Sequence, residues 1–304
     1  MPAPDGLVIV DKPADWTSHD VVGRMRRLAG TRKVGHAGTL DPMATGVLVV
    51  GIGKATRLLG HLALTEKAYD GTIRLGQATN TDDAEGEFVA ALGAGDVTDA
   101  AIEAGIAALT GRIEQVPPQV SAIKVNGERA YKQARKGEEV ELAARPVTVH
   151  AFTVTGIRRP DDLPRPGTRE GRPGHLVDVD VQVVCSSGTY IRALARDLGA
   201  ALGTGGHLTA LRRTRVGPYG LDRAHTLDEL AAALDVLPLA DAVAAAFPRR
   251  DVTDDQARAV AHGGRLAPAG LGPGPVGVFA PDGALLALVE ERDGAARPLA
   301  VFAS

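Results

Sequence analysis

The sequence predicts an α+β fold, in which a large domain of strands and helices is followed by a small C-terminal β domain. Residues 177–183 alternate valine with aspartate or glutamine, which is the period of a strand with one solvated face. Residues 18–28 and 98–109 carry apolar side chains at helical spacing. At 304 residues, the chain also reaches the size at which one hydrophobic core stops growing, so we expect a second, smaller domain.

The composition indicates a folded globular protein. Hydrophobic residues make up 44% of the chain and charged residues 23%, which excludes a disordered or collagen-like protein. No apolar run approaches the roughly 20 residues of a membrane-spanning helix, and the N-terminus lacks a signal-peptide pattern, so we expect a cytoplasmic protein. The single cysteine, Cys185, excludes an intramolecular disulfide and a cysteine-rich zinc site. With a net charge of -3, any nucleic-acid binding must rely on local basic patches.

The first elements are a helix, a long loop and two strands. Ser18 is the predicted N-cap of the helix, and Gly30 is its predicted stop. Residues 31–46 contain three glycines and a proline without an amphipathic period, so they predict a structured loop. The apolar run at 47–50 predicts a buried strand, and a further strand is expected at 69–75.

Two capping boxes mark helix starts in the C-terminal half of the chain. Thr226 is followed three residues later by Glu229, and Thr253 is followed in the same way by Gln256. Another helix is expected at 190–202, after the glycine-containing turn that ends the valine-rich strand.

Two irregular segments and a set of short strands define the predicted domains. We expect a mobile basic segment at about 117–140 and a surface insertion at about 158–175, which is rich in Pro, Gly, Arg and Asp. The predicted C-terminal strands lie at 276–279, 285–289 and 298–302. The predicted domains are residues 1–246 and residues 247–304.

The sequence contains only incomplete versions of the common cofactor-binding motifs. Residues 51–56 follow a strand as a Walker A loop does, but Leu48 occupies the first glycine position and Ala55 replaces the Ser or Thr that holds magnesium. A dinucleotide fingerprint fails because Thr56 stands in place of its third glycine. The eight histidines show no zinc-ligand spacing. We therefore expect no cofactor and no metal.

Two loops concentrate acidic residues. Asp82, Asp83 and Glu85 have the charge to attract a divalent ion, but we expect a solvated turn there. Asp41 precedes Pro42, which keeps it out of helical geometry, and glycines lie on both sides. Its carboxylate is therefore either presented at the rim of a cleft or used as an ordinary turn former.

The segment around Asp41 carries a family resemblance. Residues 35–48, GHAGTLDPMATGVL, resemble the signature of the bacterial TruB family, the tRNA pseudouridine-55 synthases. Further segments follow in the family's order: Val10-Asp11-Lys12-Pro13, Gly53-Lys54-Ala55-Thr56-Arg57, Lys67-Ala68-Tyr69, Gly188-Thr189-Tyr190-Ile191-Arg192 and Leu211-Arg212-Arg213-Thr214. The resemblance covers residues 6 to 220 or so, and the C-terminal part is similar to the RNA-binding PUA module of this family.

The resemblance implies a fold and a reaction. The fold is the pseudouridine synthase fold, a mixed and mainly antiparallel sheet flanked by helices and loops, with a PUA-like β domain. The reaction breaks the N1 glycosidic bond of one T-loop uridine and rejoins the base through C5. The catalytic residues it implies are Asp41, Arg192 and Tyr69, where Arg192 pairs with Asp41 and Tyr69 lies against the flipped base.

The resemblance also implies the RNA contacts. His36 takes up the space that the flipped base leaves, and Tyr190 and Leu211 line the pocket. Asp83 helps to place the base or sugar. The expected contacts with RNA involve Lys124, Arg57 and Arg212, and the mobile segment closes on the RNA. The expected partner is the T-arm of tRNA, bound by a monomer.

Two other functions also fit the sequence. The chain could be a tRNA-binding or tRNA-folding protein of the same fold in which Asp41 is structural. It could also be a nucleotide hydrolase that uses residues 51–54, which would release phosphate in a magnesium-dependent reaction.

Overall fold

The computed structural model describes residues 3–119, 124–125, 128–129, 142–159 and 175–303. The predicted segment at 117–140 and the insertion at 158–175 lie largely outside these residues, as does the side chain of Lys124. Among the described residues, every helix is too short or too polar to span a bilayer.

The strands are, in chain order, β1 (Gly6–Lys12), β2 (Val34–Ala37), β3 (Thr45–Ile52), β4 (Lys67–Leu75), β5 (Gln77–Thr79), β6 (Phe88–Ala91), β7 (Gly111–Gln115), β8 (Lys124–Val125), β9 (Glu128–Arg129), β10 (Arg145–Arg158), β11 (Val177–Cys185), β12 (Gly206–Val216), β13 (Tyr219–Gly220), β14 (Leu237–Pro238), β15 (Arg249–Asp251), β16 (Pro275–Phe279), β17 (Leu285–Arg292) and β18 (Ala295–Val301). The α-helices are α1 (Ser18–Leu28), α2 (Leu59–Leu62), α3 (Asp99–Ala108), α4 (Ile191–Ala201), α5 (Leu227–Ala232), α6 (Leu239–Ala246) and α7 (Asp254–Ala261). Two 3-10 turns cover Gly53–Leu58 and Leu221–Arg223.

The chain divides into two compact units. The first comprises residues 1–42, 46–65 and 215–304, and the second comprises residues 43–45 and 66–214. In the first unit, β1 lies between β14 and β3, β2 also pairs with β3, and these pairings are antiparallel. In the same unit, β15, β16, β17 and β18 form a four-stranded sheet in which β15 and β16 are parallel. The predicted division at residue 247 stays a prediction.

One apolar core joins the N-terminal strands of the first unit to the C-terminal sheet. Leu7 and Val49 from the strands, and Phe279 and Leu288 from the C-terminal sheet, are buried in the same cluster. Tyr219 is buried beside them, and its hydroxyl donates a hydrogen bond to the Ala242 carbonyl at 2.7 Å. Burial of a large aromatic side chain with its polar end bonded favours folding.

The second unit is built on an antiparallel sheet. β11 lies between β4 and β10, and β7 follows β10 at the edge. α4 contacts β4 and α3, and α3 contacts β10. At Gly199 of α4, a Cβ atom would lie 2.2 Å from the backbone of residues 205 and 206, so this close approach requires glycine. The α+β class with mainly antiparallel sheets is therefore confirmed.

Local signals predicted most helix starts correctly, but the N-cap of α1 was wrong and the start of α6 was not predicted. Both capping boxes are present, at Thr226 and at Thr253. The first helix is capped by Thr17 rather than by Ser18, because the Thr17 hydroxyl accepts from the Asp20 N–H and the Asp20 carboxylate accepts from the Thr17 N–H. The prediction of Ser18 was wrong because that side chain is buried and bonds another part of the chain.

Candidate active site

Asp41 follows β2 in a loop whose backbone is held on both sides of it, the Asp41 loop (residues 38–42). Ser18 Oγ accepts a hydrogen bond from the Leu40 N–H at 2.9 Å and lies 3.2 Å from the Leu40 carbonyl oxygen, to which it donates. The Pro42 carbonyl accepts from Lys12 Nζ and from the Asp15 N–H, each at 3.0 Å. Asp41 is half-buried. The loop thus gives this carboxylate a defined backbone position, which a catalytic side chain needs.

Lys12 is the anchor of the Asp41 loop, and it is fully buried. Its Nζ donates to the carbonyls of Pro13 at 2.8 Å, Trp16 at 2.5 Å and Pro42 at 3.0 Å. Three acceptors match the three N–H donors of an ammonium group, which offsets the cost of burying its charge. The sequence shows Lys12 only as part of a motif. Its anchoring role is visible only once Pro42 is placed beside it.

His36 lies on a strand rather than in a loop. Residues 31–46 were predicted as a long structured loop, and this was wrong for β2, which pairs with β3 so that His36 lies opposite Val50. The four residues of β2, Val-Gly-His-Ala, do not alternate apolar with polar side chains, so the sequence shows no strand pattern there. The half-buried His36 ring meets the ring of His19 edge to face, with centroids 5.7 Å apart. Its predicted role at the flipped base stays a prediction.

Arg57 contacts the last strand of the C-terminal sheet. Its Nη1 donates to the Val301 carbonyl at 2.5 Å, and Lys54 Nζ donates to the Phe302 carbonyl at 3.1 Å. The 3-10 turn that carries the two side chains is thereby tied to residues near the C-terminus. This contact of Arg57 lies within the protein. The predicted contact of Arg57 with RNA stays a prediction.

Tyr69 lies on β4 of the second unit and is nearly buried, at 8% exposure. Lys67, two residues earlier, faces Cys185 across the ladder. Burial, with a smaller contribution from the charge of Arg213, lowers the pKa of Lys67 to about 8. Burial also raises the pKa of the Cys185 thiol to about 11, so this cysteine is protonated at neutral pH and is a poor nucleophile.

Arg192 and Asp83 form a buried ion pair. The Arg192 Nη1 lies 3.3 Å from Asp83 Oδ2 and donates to the Thr81 carbonyl at 2.8 Å. Asp83 Oδ1 accepts from the Thr81 hydroxyl at 2.5 Å and from the Glu85 N–H at 3.1 Å. Asp83 is only 2% exposed, so the solvated turn predicted here is wrong for this residue.

A glutamine fixes Tyr190 at the start of α4. The Tyr190 N–H donates to Gln115 Oε1 at 2.8 Å, and Gln115 Nε2 donates to the Tyr190 carbonyl at 3.1 Å. Gln115 is 1% exposed, so both bonds are shielded from water. The helix has no side-chain cap, and this paired contact orders its first turn instead. The predicted role of Tyr190 in lining the substrate pocket stays a prediction.

Leu211 and Arg212 are neighbours on β12. Leu211 is buried and packs beside Gly71 of β4, two residues after Tyr69. Arg212 Nη1 lies 3.4 Å from the Thr45 hydroxyl, to which it donates. Within the second unit, the structure thus brings Leu211 near the strand that carries Tyr69, and Arg192 to Asp83. Among the described residues, no group of three His, Cys, Asp or Glu side chains is arranged to hold a metal ion.

Comparison with family models gives matches along most of the chain. Residues 26–191 match the model described as TruB family pseudouridylate synthase, N terminal domain. Residues 192–241 match a tRNA pseudouridylate synthase B C-terminal domain, and residues 247–303 match the C-terminal domain of tRNA pseudouridine synthase II.

Individual relatives are similar over nearly the full length. The tRNA pseudouridine synthase B of Thermobifida fusca is 67% identical and covers 98% of this chain and 99% of its own. The protein of the same name from Streptomyces griseus is 62% identical, with 99% and 98% covered. A solved chain from an H/ACA RNP bound to a substrate RNA containing 2'-deoxyuridine has a TM-score of 0.69 at 28% identity, covering 98% of this chain and 84% of its own.

Proposed function

The chain belongs to the TruB family of pseudouridylate synthases, and from this premise we propose that it isomerises the uridine at position 55 in the T-loop of tRNA. The chain is an isomerase that forms pseudouridine in tRNA, since relatives that cover 94–99% of it at 59–67% identity are named for that activity. The sequence resemblance and the pseudouridine synthase fold are thereby confirmed.

In this proposal Asp41 is the catalytic carboxylate. The observation that carries this assignment is the Asp41 loop, in which Ser18 and Lys12 hold the backbone on either side of a half-buried aspartate. The reaction breaks the bond from N1 to C1′ and forms one from C5 to C1′, while a proton leaves C5 and N1 gains one. A carboxylate can promote these bond changes by adding to C1′ or C6, or by taking a proton from C2′. No outside group is consumed in any of the three routes.

Arg192 is the proposed partner that keeps Asp41 ionised. A guanidinium carries five N–H donors in a fixed plane, so one arginine can bind several acceptors. The buried contacts of Arg192 with Asp83 and Thr81 support this role, because they give its guanidinium a defined orientation. A carboxylate beside a guanidinium has a lowered pKa, so it stays charged at the pH of the reaction.

The remaining predicted residues act on the flipped nucleotide and the backbone of the RNA. His36 is proposed to fill the space left in the T-loop, and Tyr69 to stack on the extruded base. Tyr190, Leu211 and Asp83 are proposed to shape the pocket. The proposed RNA contacts are Arg57, Arg212 and Lys124. With a net charge of -3, binding depends on such local cations, and we expect a monomer to bind the T-arm.

The test uses a T-arm stem-loop transcript with tritium at C5 of its uridines, incubated in EDTA without nucleotide. The parent protein should release one tritium per RNA to water, and a transcript with cytidine at position 55 should release none. Asp41→Asn keeps the size of the side chain and removes its charge, so turnover should fall by more than about 10³-fold while RNA binding persists. Asp15→Asn is the matched control, because Asp15 is an exposed aspartate with φ of 64° that Asn also tolerates.

The outcomes separate the alternatives. Near-parental turnover by Asp41→Asn would refute the catalytic assignment. Binding without tritium release by the parent would favour a protein that only binds or folds tRNA. Release from the cytidine-55 transcript at the parental rate would refute the assignment to position 55. Magnesium-dependent phosphate release from a nucleotide would favour the hydrolase.

A further inference from the structure

Two adjacent aspartates are bound by two arginines that lie one helical turn apart. The aspartates are Asp82 and Asp83, in the Asp83 loop (residues 80–86), and the arginines are Arg192 and Arg196 of α4. Residues four apart on a helix share one face, so the two guanidinium groups approach the same loop from one direction. The outer pair is Arg196 with Asp82, in which Nη1 lies 3.2 Å from Oδ2.

Arg196 ties three segments together. Besides Asp82, its Nε donates to Asp197 Oδ1 at 2.9 Å, and its Nη2 donates to the Val116 carbonyl just after β7 at 2.7 Å. All three nitrogens of the guanidinium therefore donate within the protein. These three bonds, each from a different nitrogen, hold the guanidinium in one orientation.

The charge of the surroundings makes this arginine necessary. Asp82 and Arg196 line a cavity of about 610 Å³ together with Glu114 and Asp197. Three carboxylates and one guanidinium thus line this cavity, and two of the carboxylates, Asp82 and Asp197, contact Arg196. Burial raises the pKa of Asp82 to about 6, while the charges of Arg196 and Arg192 act in the opposite direction. Without Arg196, repulsion and desolvation would both disfavour the ionised form of Asp82 in this position.

We propose that Arg196 is a positioning residue for pseudouridine formation, acting through Asp82 to hold the Asp83 loop so that Asp83 orients Arg192. This inference rests on the proposed function, because it assigns Arg192 to the reaction. Asp82 and Asp83 are consecutive, so a displacement of one moves the other. The backbone at Asp82 has φ of 61°, in the left-handed region that Asp and Asn adopt more readily than most residues.

The variants are Arg196→Gln, Asp82→Asn, the double variant and Arg196→Lys. Asn tolerates positive φ as Asp does, so Asp82→Asn removes the charge and keeps the backbone preference. Arg196→Gln should lower kcat on the stem-loop by about 10- to 100-fold with KM within about 3-fold of the parent. The double variant should match the worse single variant, and Arg196→Lys should recover most of kcat because it keeps the charge.

The control is Arg158→Gln, which removes another arginine that binds one aspartate, Asp180, through two nitrogens. It should leave kcat near the parental value, and circular dichroism on every variant establishes that it is folded.

A higher KM with unchanged kcat in Arg196→Gln would instead indicate a direct RNA contact and overturn the proposal. Multiplicative losses in the double variant, or failure of Arg196→Lys to recover, would also overturn it. An inactive parent would overturn the proposed function as well, whereas an active parent with fully active variants would overturn this inference alone.

Discussion

The Asp41 loop and the Asp83 loop each carry an aspartate that the sequence assigns to the site, but they are held in opposite ways. Around Asp41, the anchors Ser18 and Lys12 bind backbone groups of the flanking residues. In the Asp83 loop, the carboxylates themselves are anchors, because Asp83 binds Arg192 and Asp82 binds Arg196.

This difference separates two uses of a carboxylate. Asp83 is 2% exposed and its oxygens accept from Thr81, Glu85 and Arg192, so moving it would break the loop. Asp41 is half-buried in a loop that other residues hold. In the proposed function Asp41 changes its bonds during turnover, and the contacts of Ser18 and Lys12 then keep its loop in place.

The largest expected effect comes from removing the anchor of the Asp41 loop. Lys12→Met keeps roughly the length of the side chain and removes the ammonium group that donates to three carbonyls, so the free energy of unfolding should fall by about 3 kcal/mol or more. Turnover should fall as well, since Pro42 adjoins Asp41. Urea unfolding and tritium release measure the two effects.

The control is Lys54→Met, which loses one carbonyl contact and should lower the free energy of unfolding by about 1 kcal/mol. Equal losses of stability in both variants would contradict the anchoring role of Lys12.

The second prediction concerns the pH dependence of stability in the Asp83 loop. Burial raises the pKa of Asp82 to about 6, above its value in the unfolded chain, so the folded state holds the proton more tightly. The stability of the parent relative to Asp82→Asn should therefore fall as pH rises from 4 to 7, by up to about 3 kcal/mol. Urea unfolding of both proteins at matched pH values measures this difference. A difference that is constant with pH would show that Asp82 titrates normally.

The smallest expected effect compares two neighbouring residues at the start of α1. Thr17→Ala removes the helix cap and Ser18→Ala removes the bonds to Leu40, so each should cost about 1 to 2 kcal/mol of stability. Only Ser18→Ala should lower kcat, by about 10-fold, because Ser18 bonds the Asp41 loop whereas Thr17 bonds Asp20 within α1. Equal turnover in the two variants at equal stability would mean that the loop does not need this contact.

The fold was predictable from the sequence where the signals are local. The alternating valines of β11 and the capping boxes at Thr226 and Thr253 are patterns within a few residues, and they are confirmed. The N-cap at Thr17 was missed because two adjacent hydroxyl residues carry the same local signal. The short strand β2 was missed because its existence depends on pairing with β3.

A contiguous motif identifies the family and points to Asp41, because such a motif can be recognised without any knowledge of packing. Folding, by contrast, is what buries Lys12 against Pro42, 30 residues away, and brings Arg192 to the loop at Thr81, 111 residues away. A charged side chain can be buried only when its partners are brought to it. Those partners lie on segments that come together only when the chain folds, so no local sequence pattern predicts them.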